Sequence, residues 1–197
     1  MADSSYILSA DKDIEGELSV FVITYKGTLN EPQIKTEIKT NTIKYQDSDI
    51  GVITVNANYE NNTADAIVKM QNSDNKGTLT IKGTVPFQNP LSGDTMNALN
   101  ISTLPVDINL KAENFMLDNF SLLVKDIESL RGVLNADLSA KGTTSDPALT
   151  GNLKITNGGY LFPLTGMDYS FDADMSTGNS KLVLNRLKLY NEDDDSR

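Results

Sequence analysis

One spaced signature occurs twice in this chain. Gly27-Thr28-Leu29-Asn30-Glu31-Pro32-Gln33-Ile34 returns as Gly142-Thr143-Thr144-Ser145-Asp146-Pro147-Ala148-Leu149. The offset is kept downstream: Ile38 falls on Leu153, Lys39 on Lys154, Tyr45 on Tyr160 and Gly51 on Gly166. Upstream, Gly16-Glu17-Leu18 resembles Gly132-Val133-Leu134, with one extra residue in the first copy. Self-similarity of this kind points to an architecture that extends in one direction, with function spread along a face. The reading is a single repetitive β domain over 1–197. Its copies span about 16–85 and 132–197, joined by 86–131.

Period-2 alternation fills both copies. Ile53, Val55, Ala57 and Tyr59 alternate with Thr54, Asn56 and Asn58. Leu79 and Ile81 alternate with Thr78, Thr80 and Lys82. Val106, Ile108, Leu110 and Ala112 alternate with Asp107, Asn109 and Lys111. Leu134, Ala136, Leu138 and Ala140 do the same, as do Tyr169, Phe171, Ala173 and Met175. Successive side chains of a strand point to opposite sides, so each strand has one apolar and one wetted face. Asn61-Asn62, Asp74-Asn75-Lys76-Gly77, Asn157-Gly158-Gly159 and Thr177-Gly178-Asn179 read as turns, because these residues tolerate positive φ. Pro32 and Pro147 lack a donor for a ladder, so each belongs in a turn or at a strand's first position. Leu182 and Leu184 are out of phase with Leu187 and Leu189, which predicts a bulge near Asn185-Arg186.

One segment follows a different period. Met116, Phe120, Leu123, Ile127 and Leu130 have helical spacing, and the expectation is one short helix within about 115–130. Asn114 is a candidate cap at its start, and Gly132 follows its end. Asp118, Asp126 and Glu128 beside Lys125 and Arg131 argue for packing on the sheet, because a membrane-surface helix carries a basic polar face.

Composition removes several classes of function. The chain has 17 Lys+Arg against 27 Asp+Glu, a net charge of −10. That disfavours nucleic acid, which needs a concentrated basic surface. It contains no Cys, His or Trp. Disulfides, thiolate metal sites and His-based triads are therefore excluded. No apolar run approaches the ~20 residues needed to span a bilayer as a helix. Glu192-Asp193-Asp194-Asp195 and Asp47-Ser48-Asp49 read as solvated charge runs. Asp168, Asp172 and Asp174 share one strand face opposite an apolar row, with no neighbour expected to shift them towards acid–base work. The reading is no enzyme, no cofactor and no metal.

The second half carries a longer pattern. It runs through Leu104-Pro105-Val106-Asp107-Ile108-Asn109-Leu110, Asn114-Phe115-Met116-Leu117 and Leu130-Arg131-Gly132-Val133-Leu134. Lys141-Gly142-Thr143-Thr144-Ser145-Asp146-Pro147-Ala148-Leu149-Thr150-Gly151-Asn152-Leu153 follows, then Asn157-Gly158-Gly159-Tyr160 and Gly166-Met167-Asp168-Tyr169. In that order these pieces resemble the C-terminal region of the TamB family, the translocation and assembly module proteins of the AsmA-like group. The Gly-Thr-x3-Pro-x-Leu-x-Gly-x-Leu element is the most specific part. The first half departs from it: Thr36 stands at the counterpart of Gly151, and Ile43-Lys44 at that of Gly158-Gly159.

The resemblance implies a mainly β fold: an elongated, curled antiparallel sheet forming an open U-shaped groove, or β-taco. It implies a fragment of an inner-membrane-anchored envelope protein that crosses the periplasm. The implied function is carriage of phospholipid between inner and outer membranes, in support of outer-membrane biogenesis. The implied partners are phospholipid acyl chains and an outer-membrane barrel assembly protein. The alternative is a structural or protein-binding β module that assists outer-membrane protein insertion or secretion through strand-edge contacts. If the apolar rows line a groove, the candidates for lipid contact are Leu134, Leu138, Leu153, Ile155, Tyr169, Phe171, Leu182 and Leu184.

Overall fold

The computed structural model describes residues 14–45, 48–74, 76–86, 89, 104–122, 130–162, 167–178 and 180–190. Its strands in chain order are β1 (Ile14–Glu15), β2 (Leu18–Gly27), β3 (Pro32–Thr40), β4 (Ile43–Tyr45), β5 (Ser48–Glu60) and β6 (Thr63–Asn72). They continue as β7 (Thr78–Pro86), β8 (Pro105–Met116), β9 (Arg131–Thr143), β10 (Pro147–Phe162), β11 (Met167–Gly178) and β12 (Lys181–Tyr190). All belong to one sheet, every described pairing is antiparallel, and the sheet does not close into a barrel. From β5 to β12 each strand pairs with its successor. On the other side β5 is shared, pairing along its first part with β4 and along its second with β3.

The turns follow from local chemistry. Asn61 and Asn62 both take positive φ (52° and 55°), and Glu60 pairs with Thr63. That is the two-residue hairpin turn whose twist matches the flanking strands. The two copies of the repeated signature build matching turns. Gly27 and Gly142 have positive φ, and each pairs with the proline that opens the next strand, Pro32 or Pro147. Inside each turn a threonine Oγ1 accepts from the acidic residue's N–H: Glu31 to Thr28 at 3.1 Å, Asp146 to Thr143 at 3.2 Å. Both prolines thus occupy a first strand position, where the missing donor costs no ladder bond.

The predicted irregularity in β12 is present. Arg186 pairs with Asp174 and Leu184 with Met175, which leaves Asn185 as the extra residue of a bulge. Two expectations need correction. Asn157-Gly158-Gly159 is not a turn. It is a bulge inside β10, with Asn157 at φ 52° and register shifts on both neighbouring strands. The glycines are there for space: a Cβ on Gly158 would meet the Phe171 ring at 2.7 Å, and one on Gly159 would collide with the Arg131 guanidinium. Asn114 does not cap a helix but forms a β8 bulge at φ 48°, and Gly132 lies within β9.

Within the expected helical segment the described helix is of the tighter 3-10 kind. Phe115 and Met116 end β8, and a 3-10 helix covers Leu117–Leu122. Residues 123–129, which hold Leu123 and Ile127 of the stripe, lie outside the described residues, and Leu130 packs against the buried cluster. No described helix is long and apolar enough to cross a membrane.

Candidate binding face and its covered margin

Register places the apolar rows of every long strand on one face. Neighbouring residues in a row are direct cross-strand partners, whose side chains share a side. One row runs Phe21, Ile38, Val55, Val68, Ile81, Leu110 and Leu138, one residue from each of β2, β3, β5, β6, β7, β8 and β9. A second runs Ile53, Met70, Leu79, Ala112, Ala136, Leu153, Met175 and Leu184, from β5 to β12. The opposite face carries the polar alternates, including Lys141 at 3.3 Å from Asp107 and Lys111 at 2.7 Å from Glu113. The Lys111 ammonium holds the exposed Glu113 carboxyl below its ordinary value, chiefly through their hydrogen bond.

This face is not uniformly open. Along β8 exposure rises from Phe115 (0%) and Ala112 (3%) to Ile108 (37%). The cause is the chain itself. The end of β8 and the 3-10 helix fold over one margin of the sheet and pack against β9 and β5. Phe115 and Leu117 join Leu79, Ala112, Leu134 and Ala136 in the buried cluster. A polar latch fixes this cover. The buried Asn72 side chain donates to the Asn114 carbonyl at 3.2 Å. Its Oδ1 accepts from Asn119 Nδ2 at 2.8 Å and from the Met116 N–H at 3.4 Å. Gly77 is small because the Asn114 carbonyl and the Asn72 amide occupy the space a Cβ would need.

All eight residues predicted as lining lie on this one face, in different surroundings. Leu134, paired with Phe115 and Ile155, is buried under the cover. Leu153 and Ile155 pack against the same cluster, and Leu138 is half-buried beside Leu110. Phe171 lies over Gly158, and its row neighbour Leu189 is exposed. Tyr169 pairs with Tyr160 and is exposed, as are Leu182 and Leu184 on the last strand. Sequence reasoning passed over the first-half contributors to the same rows, Phe21, Ile38, Val55 and Val68. The alternation of β5 was visible, but only pairing register joins it to the second half. The apolar stripe pointed to a segment packed on the sheet, but the polar latch had no sequence signal, because Asn72 and Asn119 lie far apart in the chain.

Tyr59 lies further along the same face, between Ile34 and Ala64. It is buried, its hydroxyl lies 3.0 Å from Asn62 Oδ1, and burial raises its pKa above the ordinary 10.0. The folded state holds this proton more tightly than the unfolded chain. Its stabilising contribution is therefore full below pH 10.0 and is lost as the pH rises through the raised value. Ultraviolet titration is expected to show a late-ionising tyrosine component that Tyr59→Phe removes.

No described group of three or more Asp and Glu residues is arranged to hold a metal ion. No curated protein and no solved structure matches the chain. The family model described as TamB C-terminal domain matches residues 65–170, more than half of the 197 residues. The match covers β7 to β10 whole and most of β6, and so includes the covered margin and the centre of both apolar rows. A single open sheet, dry on one side and built around the repeated Gly-Thr-x3-Pro turn, is thus a part of the TamB family of bacterial envelope proteins, to which this chain belongs.

Proposed function

We infer that the open part of the apolar face carries phospholipid acyl chains, as a segment of a periplasm-spanning, inner-membrane-anchored protein that moves lipid between the inner and outer membranes. The observation that supports this most is the row Phe21, Ile38, Val55, Val68, Ile81, Leu110 and Leu138. Seven strands at ~4.8 Å spacing give it a length of about 29 Å. It is apolar without a break, and its members keep part of their surface open to solvent. Each methylene transferred from water gains roughly 0.8 kcal/mol, so ten left exposed cost about 8 kcal/mol. A chain moving across strands therefore needs continuous apolar contact and little else. The charged head stays at the rim, in water.

The test compares the two faces of the same strands. A photoreactive amino acid at Val55 or Leu138 is expected to label with phospholipid in cells. The same group at Asn56 or Ser139, on the opposite face, is expected to stay unlabelled. Equal labelling of both faces, with folded proteins, overturns the reading. Leu138→Glu, which places a charge in the row at a half-buried position, is expected to abolish labelling at Val55 if chains pass along it.

A further inference from the structure

The two margins of the apolar face are built differently. Gly27 pairs with Pro32, Ile34 with Tyr59, Glu60 with Thr63, Thr84 with Asp107 and Pro105 with Thr143. This register places the turns after β2, β5 and β9 along one rim. The other rim is the covered one, where Asn72 and Gly77 meet Asn114 and the 3-10 helix. A phospholipid whose chains lie on this face meets packed protein at the covered margin, so its head belongs at the rim of the turns.

Among the described residues, a cavity of about 420 Å³ lies at that rim, between the turn after β2 and the Asn61-Asn62 turn. The direct pairing of β3 with β5 sets these two turns side by side. Tyr59, a member of the apolar face, forms part of the wall. Most of the remainder is polar: Asn30, Glu31, Glu60, Asn61 and Asn62 contribute, and none of the described lining residues is Lys or Arg. The wall is held in place from both sides. Glu60 Oε1 accepts from Gln33 Nε2 at 2.7 Å. Asn89 Nδ2 donates to the Leu29 and Asn30 carbonyls at 2.7 and 3.2 Å.

We propose that this cavity seats the primary ammonium of a zwitterionic phospholipid head group, so that the face prefers amine-headed lipid to anionic lipid. Two carboxylates with no lining cation attract an ammonium and repel a bare phosphate, in a chain of net charge −10. Hydrogen bonds from a charged N–H to a carboxylate are the strong kind. The phosphate of such a head stays at the mouth, in water. A head of phosphate and hydroxyls alone gains no charge pairing from Glu31 or Glu60, and its net charge is opposed. The proposal rests on the lipid reading above. It adds the class of head group and the rim at which the head sits.

The test uses the whole chain with a photoreactive amino acid at Val55, on the apolar face and outside the cavity. Vesicles hold equal amounts of phosphatidylethanolamine and phosphatidylglycerol, and mass spectrometry identifies the adducts. The amine lipid is expected to be enriched about threefold or more over the vesicle, the effect of about one charge-assisted contact at a partly exposed site. Glu31→Gln combined with Glu60→Gln keeps side-chain size and leaves an oxygen for Gln33. This double variant is expected to return the adducts to the vesicle composition while total labelling persists. Glu37→Gln, on the polar face of β3 opposite Asn56, is expected to keep the preference. An unbiased ratio in the native chain, or an equal loss of preference in Glu37→Gln, overturns the head-group assignment and leaves the lipid reading standing. Glycerophosphoethanolamine, the same head without acyl chains, is expected to compete only at millimolar concentration. Competition at micromolar concentration gives the cavity to a soluble amine and overturns the assignment too. Absence of adducts with either lipid overturns the lipid reading itself, and this proposal with it.

Discussion

Phe115→Ala is expected to lower the stability of the chain by about 3–5 kcal/mol, the range for truncating a fully buried aromatic side chain. The side chain is completely enclosed. It lies between Leu134 and the rest of the buried cluster, so its removal leaves a cavity under the cover. Urea denaturation followed by far-ultraviolet circular dichroism reads the loss directly. A second readout separates this site from ordinary core damage. Loosening the cover bares Leu79, Leu134 and Ala136, so an environment-sensitive apolar dye is expected to bind the variant at denaturant concentrations where the native chain does not bind it. A loss under 1 kcal/mol would mean that the cover is not packed as described.

Asn72→Leu is the second large effect. The substitution is close in volume but removes the amide at the centre of the latch. It leaves the Asn114 carbonyl, the Met116 N–H and the Asn119 side chain without the partner they now share. Of the three, Asn119 is the buried residue, and a buried polar group abandoned in this way costs about 1–3 kcal/mol. The expected total is of that size, large for a substitution that increases apolar content. Hydrogen exchange is the measurement of choice. Protection at Met116 is expected to fall first, ahead of the β9–β10 ladder. If exchange there is unchanged, the latch does not hold the cover.

Most of the sheet was legible in the sequence because alternation and turn chemistry are local. The prolines at 32 and 147, the Asn61-Asn62 turn and the β12 bulge all stand where spacing puts them. The misread segments are those where a distant neighbour decides. Gly158-Gly159 has the composition of a turn, and only the Phe171 ring and the Arg131 side chain make it the middle of a strand. Asn114 has the composition of a cap, and Asn72 and Asn135 make it a bulge with a bonded carbonyl and N–H. For the candidate face, the second-half residues could be named from periodicity alone. Their junction with Phe21, Ile38, Val55 and Val68 depends on register, which a sequence pattern leaves unstated. The helical stripe was legible in part: Leu117–Leu122 form a 3-10 helix inside the expected span, while Phe115 and Met116 keep ladder bonds in β8.

The glycine pair in β10 also bears on how the sheet is assembled. On one side Phe171 lies over Gly158. On the other Arg131 crosses Gly159 to reach both oxygens of Asp168, at 2.9 and 2.8 Å, and the Ser170 hydroxyl at 3.3 Å. Three consecutive strands are thereby keyed to one another through a single notch that is open on both sides. If β11 slid by one residue, its ring would leave the notch and the guanidinium would lose its acceptors in the same step. Misalignment at this junction is thus penalised twice, which fixes the register that β11 offers to β12.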